Sequence, residues 1–91
     1  MKGRIMITVM GSDKVGITAK VTTVLAESNV NILDINQTIM QDIFTMIMLC
    51  DMENSTVELS ELQEKLEKTG AELGMKIQAQ HEDIFTYMHR I

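Results

Sequence analysis

The spacing of apolar residues switches between two and about 3.6 four times along this chain, and the order of the switches is the strongest constraint on its fold. Residues Arg4 to Met10 alternate, with Ile5, Ile7 and Val9 opposed to Met6, Thr8 and Met10. Both sides are largely apolar, which predicts an interior strand covered on two faces. Gly11, Ser12 and Asp13 stop it. From Gly16 a helical stripe of Ile17, Val21, Val24, Leu25 and Ser28 takes over, with Lys20, Thr23 and Glu27 facing away. Asp13 or a neighbouring loop group is expected to cap this helix, and Asn29, which tolerates the left-handed conformation, to end it. Alternation returns from Val30 to Met40, where Leu33, Ile35 and Ile39 oppose Asp34, Asn36 and Thr38. One wet face predicts a strand near an edge. Ile43 to Cys50 is almost wholly apolar and reads as the most buried strand, so Gln41 and Asp42 must make a hairpin turn.

Beyond Asp51, Ser55-Thr56-Val57-Glu58 has the form of a capping box ahead of a second helix. Leu59, Leu62, Leu66 and Leu73 form its buried stripe, while Glu61 with Lys65 and Glu64 with Lys68 are i,i+4 pairs in the favourable order. Gly74 ends the helix, and Met75, Ile77 and Ala79 alternate with Lys76, Gln78 and Gln80 as a last strand. A tail over residues 82–91 starts acidic and ends in His89 and Arg90, the polarity of a helix, with Ile84, Phe85, Met88 and Ile91 on one side.

The order βαββαβ predicts one α+β domain over residues 1–91. It is a ferredoxin-like sandwich: a four-stranded antiparallel sheet, two helices on one face and a short C-terminal helical tail. Such a sheet leaves its other face open. The central strands are apolar on both sides and hold Met6, Met10, Met46 and Met48, so the tail or a second subunit is expected to cover that face. An exposed edge strand at Ile32 to Met40 adds to the expectation of a homodimer.

The eight basic residues, at 2, 4, 14, 20, 65, 68, 76 and 90, form no stripe, and the net charge is -5, so nucleic acid is not an expected partner. The three aromatic residues give the sheet no stacking platform for bases. Cys50 is alone and can form neither an internal disulfide nor a Cys-x-x-Cys site, and it reads as a small buried hydrophobe in a reducing cytoplasm. The apolar segment near the amino terminus breaks at Gly11, too short for a signal peptide or a membrane span. His81 and His89 belong to no zinc-binding spacing and no catalytic triad. Acylphosphatases share the strand order but use an arginine and an asparagine in the loop, where this chain offers only Lys14. No catalytic residue, no metal and no cofactor is expected, and the chain is not read as an enzyme.

The run Gly-Ser-Asp-Lys-Val-Gly-Ile after a strand, then a helix, then Asn-Val-Asn-Ile, within the βαββαβ order, resembles the ACT domain, a small regulatory module of many amino-acid-metabolising enzymes. The Asp13-to-Ile17 loop, the Phe44-Thr45-Met46 pattern and the His81-Glu82-Asp83-Ile84-Phe85 tail bring it closer still to small stand-alone ACT-domain proteins of bacteria and archaea. The resemblance implies dimerisation and binding of an amino acid or related small ligand, with the ligand state passed to a regulated protein. Ligand sites in the family use the loop before the first helix and the start of the second strand, often between two subunits. Carried over, that selects Gly11, Ser12, Asp13, Val15, Gly16 and Ile17 on one side, and Asn29, Asn31 and Ile32 on the other. One departure is visible: ligand-binding members often carry a polar or histidine side chain where Gly11 stands.

The chemistry of these residues suits a zwitterion. Amide N–H groups at Gly16 and Ile17 open a helix and favour a carboxylate, Asp13 offers a partner for an ammonium group, and the Asn31 amide bonds either end. The same residues also have structural readings: Asp13 as helix cap, Gly16 as a point of close packing, Asn31 as holder of its own turn. The alternative function is a ligand-independent protein-protein interaction module built on the methionine-rich face or the edge strand.

Overall fold

The structure, a computed structural model, describes residues 3–84. The elements are β1 (Arg4–Ser12), α1 (Ile17–Glu27), β2 (Asn31–Met40), β3 (Ile43–Asp51), α2 (Leu59–Leu73) and β4 (Met75–His81). The strands form one sheet in the order β2-β3-β1-β4, antiparallel at every junction. This is the ferredoxin-like sandwich that the periodicities predict.

The register explains the core. Ile7 lies between Met48 and Ala79, and Val9 between Met46 and Ile77, so these side chains share one face of the sheet. All are buried, and Ile17, Val21 and Leu25 of α1 join Leu62 and Leu66 of α2 in the same cluster. The two helices therefore cover one face. At about 1.5–3 kcal/mol for each large apolar side chain taken out of water, that cluster supplies the main folding force.

The opposite face is open within residues 3–84; the tail beyond residue 84 and a second subunit, which are expected to cover it, lie outside the described residues. Met10, Ile43 and Ile47 are 53%, 52% and 41% exposed, because no element of residues 3–84 lies over them. Met46 and Met48 belong instead to the helix side and are fully buried, leaving Met6 and Met10 as the open-face methionines of the central strands. β2 is an edge strand, as its wet face predicts, but its apolar side is not buried. Leu33, Ile35 and Ile39 stay exposed, and of β2 only Ile32 packs against the core. A bulge between Ile32 and Asp34 shifts the register near the start of this strand.

Asn29 (φ 58°) and Gly74 (φ 70°) end the two helices in the left-handed conformation, as their residue types predict. Gln41 and Asp42 form the hairpin turn with positive φ at both positions, the geometry a two-residue loop needs without the glycine that usually marks it. The expected caps do not form. Gly16, at φ 91°, is the N-cap of α1, and no side chain bonds the cap. Asp13 instead uses its backbone N–H, donating to Asp42 O at 2.9 Å, which ties the loop to the β2–β3 hairpin. α2 begins only at Leu59 behind an extended Glu58, because Ser55 spends its hydroxyl within the preceding loop, accepting from Val57 N–H and donating to Val57 O. The Glu61/Lys65 and Glu64/Lys68 pairs do not close. Exposed long side chains gain little by pairing, and among the described residues the ion pair between formally charged groups is Arg4–Glu82, while His81 Nδ1 accepts from Asp83 N–H at 3.2 Å.

Residues 82–84 are helical, as expected for the start of the tail; Phe85, Met88 and Ile91 lie outside the described residues. The Arg4 guanidinium fastens this start to β1, with Nε 3.0 Å from Glu82 Oε2 and Nη2 2.8 Å from Oε1. The hydrogen bond from Arg4 holds the Glu82 carboxyl below its usual range. Cys50 is a buried free thiol pushed up to about 11 by desolvation. Among the described residues no helix is long and apolar enough to cross a membrane.

Candidate functional site

Gly11 and Ser12 complete β1, level with Phe44 and Ile43 of β3. A methyl group built on Gly11 would lie 2.6 Å from Met75 Sδ and 3.2 Å from Gly74 O. The space that a side chain at position 11 would need is therefore filled by Met75. Gly16 is a different case. Nothing lies within 4 Å of a methyl built on it, so its role is the left-handed backbone at φ 91°, not close packing.

Asp13 and Val15 stand out into solvent, and the Ile17 side chain is buried in the core. What Ile17 can offer a ligand is its backbone. Lys20 N–H donates to Gly16 O at 3.0 Å, so by helix geometry the N–H groups of Ile17, Thr18 and Ala19 have no acceptor within α1. No acidic residue occupies the first turn to offset them. This end of α1 is a donor-rich, electropositive terminus.

Asn29, Asn31 and Ile32 form the second group. The Asn29 amide donates from Nδ2 to Asn54 O at 2.8 Å, bracing the end of α1 against the loop after β3. Asn31 pairs with Asp51 in the sheet. Between them a cleft of about 410 Å³ is lined by Asn29, Asn31, Asp51 and Asn54. A groove of about 460 Å³ lined by Thr22, Thr23, Leu25 and Ile32 adjoins it and shares Ala26, Val30 and Asn31. Asp51 and Asn54 were not legible as site residues, because only the β2–β3 register brings the end of β3 beside Asn31, and Thr22 and Thr23 were not, because they line the groove only once α1 lies beside Ile32.

The two groups do not meet within one chain. Ser12 is level with Ile43 and so with Met40, whereas Asn31 is level with Asp51 and so with Arg4. The length of β1 separates these levels, roughly 26 Å at about 3.3 Å per residue. Gly11, Ser12, Asp13, Val15, Gly16 and Ile17 gather at one end of the sheet, and Asn29, Asn31 and Ile32 at the other. Among the described residues, no group of three or more His, Cys, Asp or Glu side chains is placed to hold a metal ion.

Comparison with known proteins agrees with this architecture. The family model described as ACT domain matches residues 3–80. A UPF0237 protein of Methanocaldococcus jannaschii is 54% identical over 88 residues, covering 97% of this chain and 98% of the relative. The solved structure of an ACT domain protein from Streptococcus pneumoniae superposes with a TM-score of 0.79 at 36% identity, covering 90% of this chain and 92% of that one. The regulatory subunit of aspartate kinase from Thermus thermophilus, in its ligand free form, superposes with a TM-score of 0.66 at 26% identity, covering 88% of this chain and 52% of that one.

Proposed function

Because the chain belongs to the ACT domain family, we propose that it is a regulatory module of the cytoplasm that binds an amino acid in a site completed by a second copy of itself. The observation that carries this reading is the position of the two residue groups at opposite ends of a sheet whose β2 edge is free. β2 is ten residues long and bonded on one side only, so a row of N–H and C=O groups faces outward. If two copies join β2 to β2 antiparallel about a two-fold axis, the start of one β2 comes level with the end of the other. Asn31 and Ile32 of one protomer then approach the loop and the α1 N-terminus of its partner. Thr18, in the first turn of α1, lies over β2, with Oγ1 3.4 Å from Gln37 Oε1, so this terminus is already beside the edge. The same pairing would cover Leu33, Ile35 and Ile39.

In such a site the free amides of Ile17 and its neighbours favour a carboxylate. Acceptors across the junction favour an ammonium group. Nothing in this arrangement performs chemistry on the ligand. The regulation implied is a change in association with another protein, since a ligand that bridges two protomers binds the paired state better than the separate one. In Thermus thermophilus the similar domain is part of the regulatory subunit of an aspartate kinase.

The test combines light scattering with thermal unfolding against the twenty L-amino acids. We expect a dimer mass at micromolar concentration, a monomer mass for Ile35→Lys, and stabilisation by at least one amino acid that weakens as the dimer is lost. Ligand at a hundredfold its Kd adds about 2.7 kcal/mol, well within reach of a melting curve. A wild-type monomer that responds to none of the twenty ends this reading. The open face of Met10, Ile43 and Ile47 favours a second reading, a module that binds another protein without any ligand. Capture of one specific partner at unchanged strength with and without amino acids would select it.

A further inference from the structure

Two adjoining recesses beside Asn31 differ in chemistry. The one towards the sheet end is lined by Asp51 with Asn29, Asn31 and Asn54, and the one along α1 by Ala26, Ile32, Thr22 and Thr23, the two threonine hydroxyls being turned back onto α1 carbonyls. We propose that this two-part groove receives an amino acid with an aliphatic side chain, its ammonium group at Asp51 and its side chain against Thr22, Ala26 and Ile32. The inference rests on the zwitterion reading above and adds the ligand class and the ammonium partner.

Three observations point to a cation at the polar end. Asp51 uses Oδ1 to accept from Glu53 N–H at 2.9 Å, which fixes the carboxylate while leaving Oδ2 for another donor. Arg4, its cross-strand neighbour, is drawn to Glu82 by two hydrogen bonds, and no ion pair involving Asp51 forms among the described residues. The carbonyl end of α1 lies at Ala26 and Asn29, and no basic residue in its last turn offsets it. Asp13, the other candidate, sits beside the electropositive α1 N-terminus at the far end of the sheet. There it flanks the carboxylate donors and leaves the polar recess unused.

The apolar end sets the class. A charged side chain placed against Ala26 and Ile32 would lose water and meet no opposite charge among the residues lining that recess, a cost that disfavours aspartate or lysine more strongly than a missing methylene disfavours a shorter aliphatic. Valine, isoleucine, leucine and methionine fit this chemistry.

The experiment uses ¹⁵N-labelled full-length protein, titrated with the twenty amino acids and with two half-ligands: glycinamide, a cation without a carboxylate, and propionate, an anion without an ammonium group. Expected are aliphatic amino acids binding at least tenfold more tightly than aspartate or lysine, and glycinamide shifting the Asn29, Asn31 and Asn54 side-chain signals. Asp51→Asn should weaken aliphatic amino acids tenfold or more and abolish the glycinamide shifts, while propionate titrates as before. Ile32→Ser should weaken leucine more than alanine, and both variants must keep wild-type signal dispersion. If amino acids bind but Asp51→Asn leaves their affinity unchanged, or if charged amino acids bind best, the assignment is wrong and the dimeric zwitterion site stands. If no amino acid binds and glycinamide leaves the three asparagines unshifted, both fall.

Discussion

Gly11→Ala probes why this domain lacks a side chain at the root of its loop. Gly11 is not among the glycines with positive φ, which are Gly3, Gly16 and Gly74, so backbone conformation does not demand it. Space does. The new methyl would sit 2.6 Å from Met75 Sδ and 3.1 Å from Cε, where carbon atoms prefer about 3.5–4.0 Å. Met75 is 7% exposed and must swing out of its site to make room. Overpacking of this kind costs about 1–3 kcal/mol, and Met75→Ala alone costs about 2–5 kcal/mol as a truncation in the core. The double variant should cost less than the sum by about 1–2 kcal/mol, because the methyl at position 11 enters space that Met75 has vacated, with only the 3.2 Å approach to Gly74 O left to relax. Urea unfolding of the four proteins at one fixed protomer concentration measures this coupling, since association would otherwise shift the midpoints. Additivity within about 0.5 kcal/mol would refute the claim that Met75 occupies the site of the missing side chain.

Gly16→Ala should destabilise by about 1–2 kcal/mol through its backbone alone, with Gly16→Asn costing less, as Asn29 already adopts φ 58° in this chain. At roughly 4–8 °C of Tm per kcal/mol the two separate in a melting experiment, and equal Tm values would contradict the conformational argument. For Glu82, the carboxyl is held below its ordinary value of 4.5 by the Arg4 hydrogen bond, so its contribution to stability is complete above 4.5 and is lost as pH falls through the depressed folded value. Carbon-detected NMR of the Glu82 carboxyl should show the midpoint rising towards 4.5 in Arg4→Ala; an unchanged midpoint would mean that the bond does not hold in solution.

Element order was legible because each element carries one apolar stripe, and the helical stripes of Ile17–Leu25 and Leu59–Leu73 differ in period from the alternating strands. The fate of β2 was not, because Leu33, Ile35 and Ile39 alternate like a half-buried strand whether or not a helix reaches them. Caps were misplaced for a local reason. A glycine at φ 91° lets the chain enter α1 without a side-chain cap, and nothing in Gly-Ser-Asp-Lys-Val-Gly announces which polar group will be left over. The candidate site was half legible. The loop and Asn31 stand in the sequence, but Asp51 and Asn54 reach Asn31 only through strand register, a property of paired segments far apart in the chain. That loop and strand start lie at opposite ends follows from topology: β1 and β2 both run antiparallel to β3, hence parallel to each other, so the end of one cannot adjoin the beginning of the other.

The sheet has two unlike borders. β4 is seven residues long, with Lys76 its one charged residue and Gln78 and Gln80 on the same side, a short margin that offers little to strand addition. β2 is longer, and Asp34 is its one charged residue. If both borders were equally receptive, the β2 of each copy could add to the β4 of the next and the sheet would grow head to tail without limit. If β2 is the border that pairs, a copy that has joined another has no second β2 to offer, and growth stops at a pair.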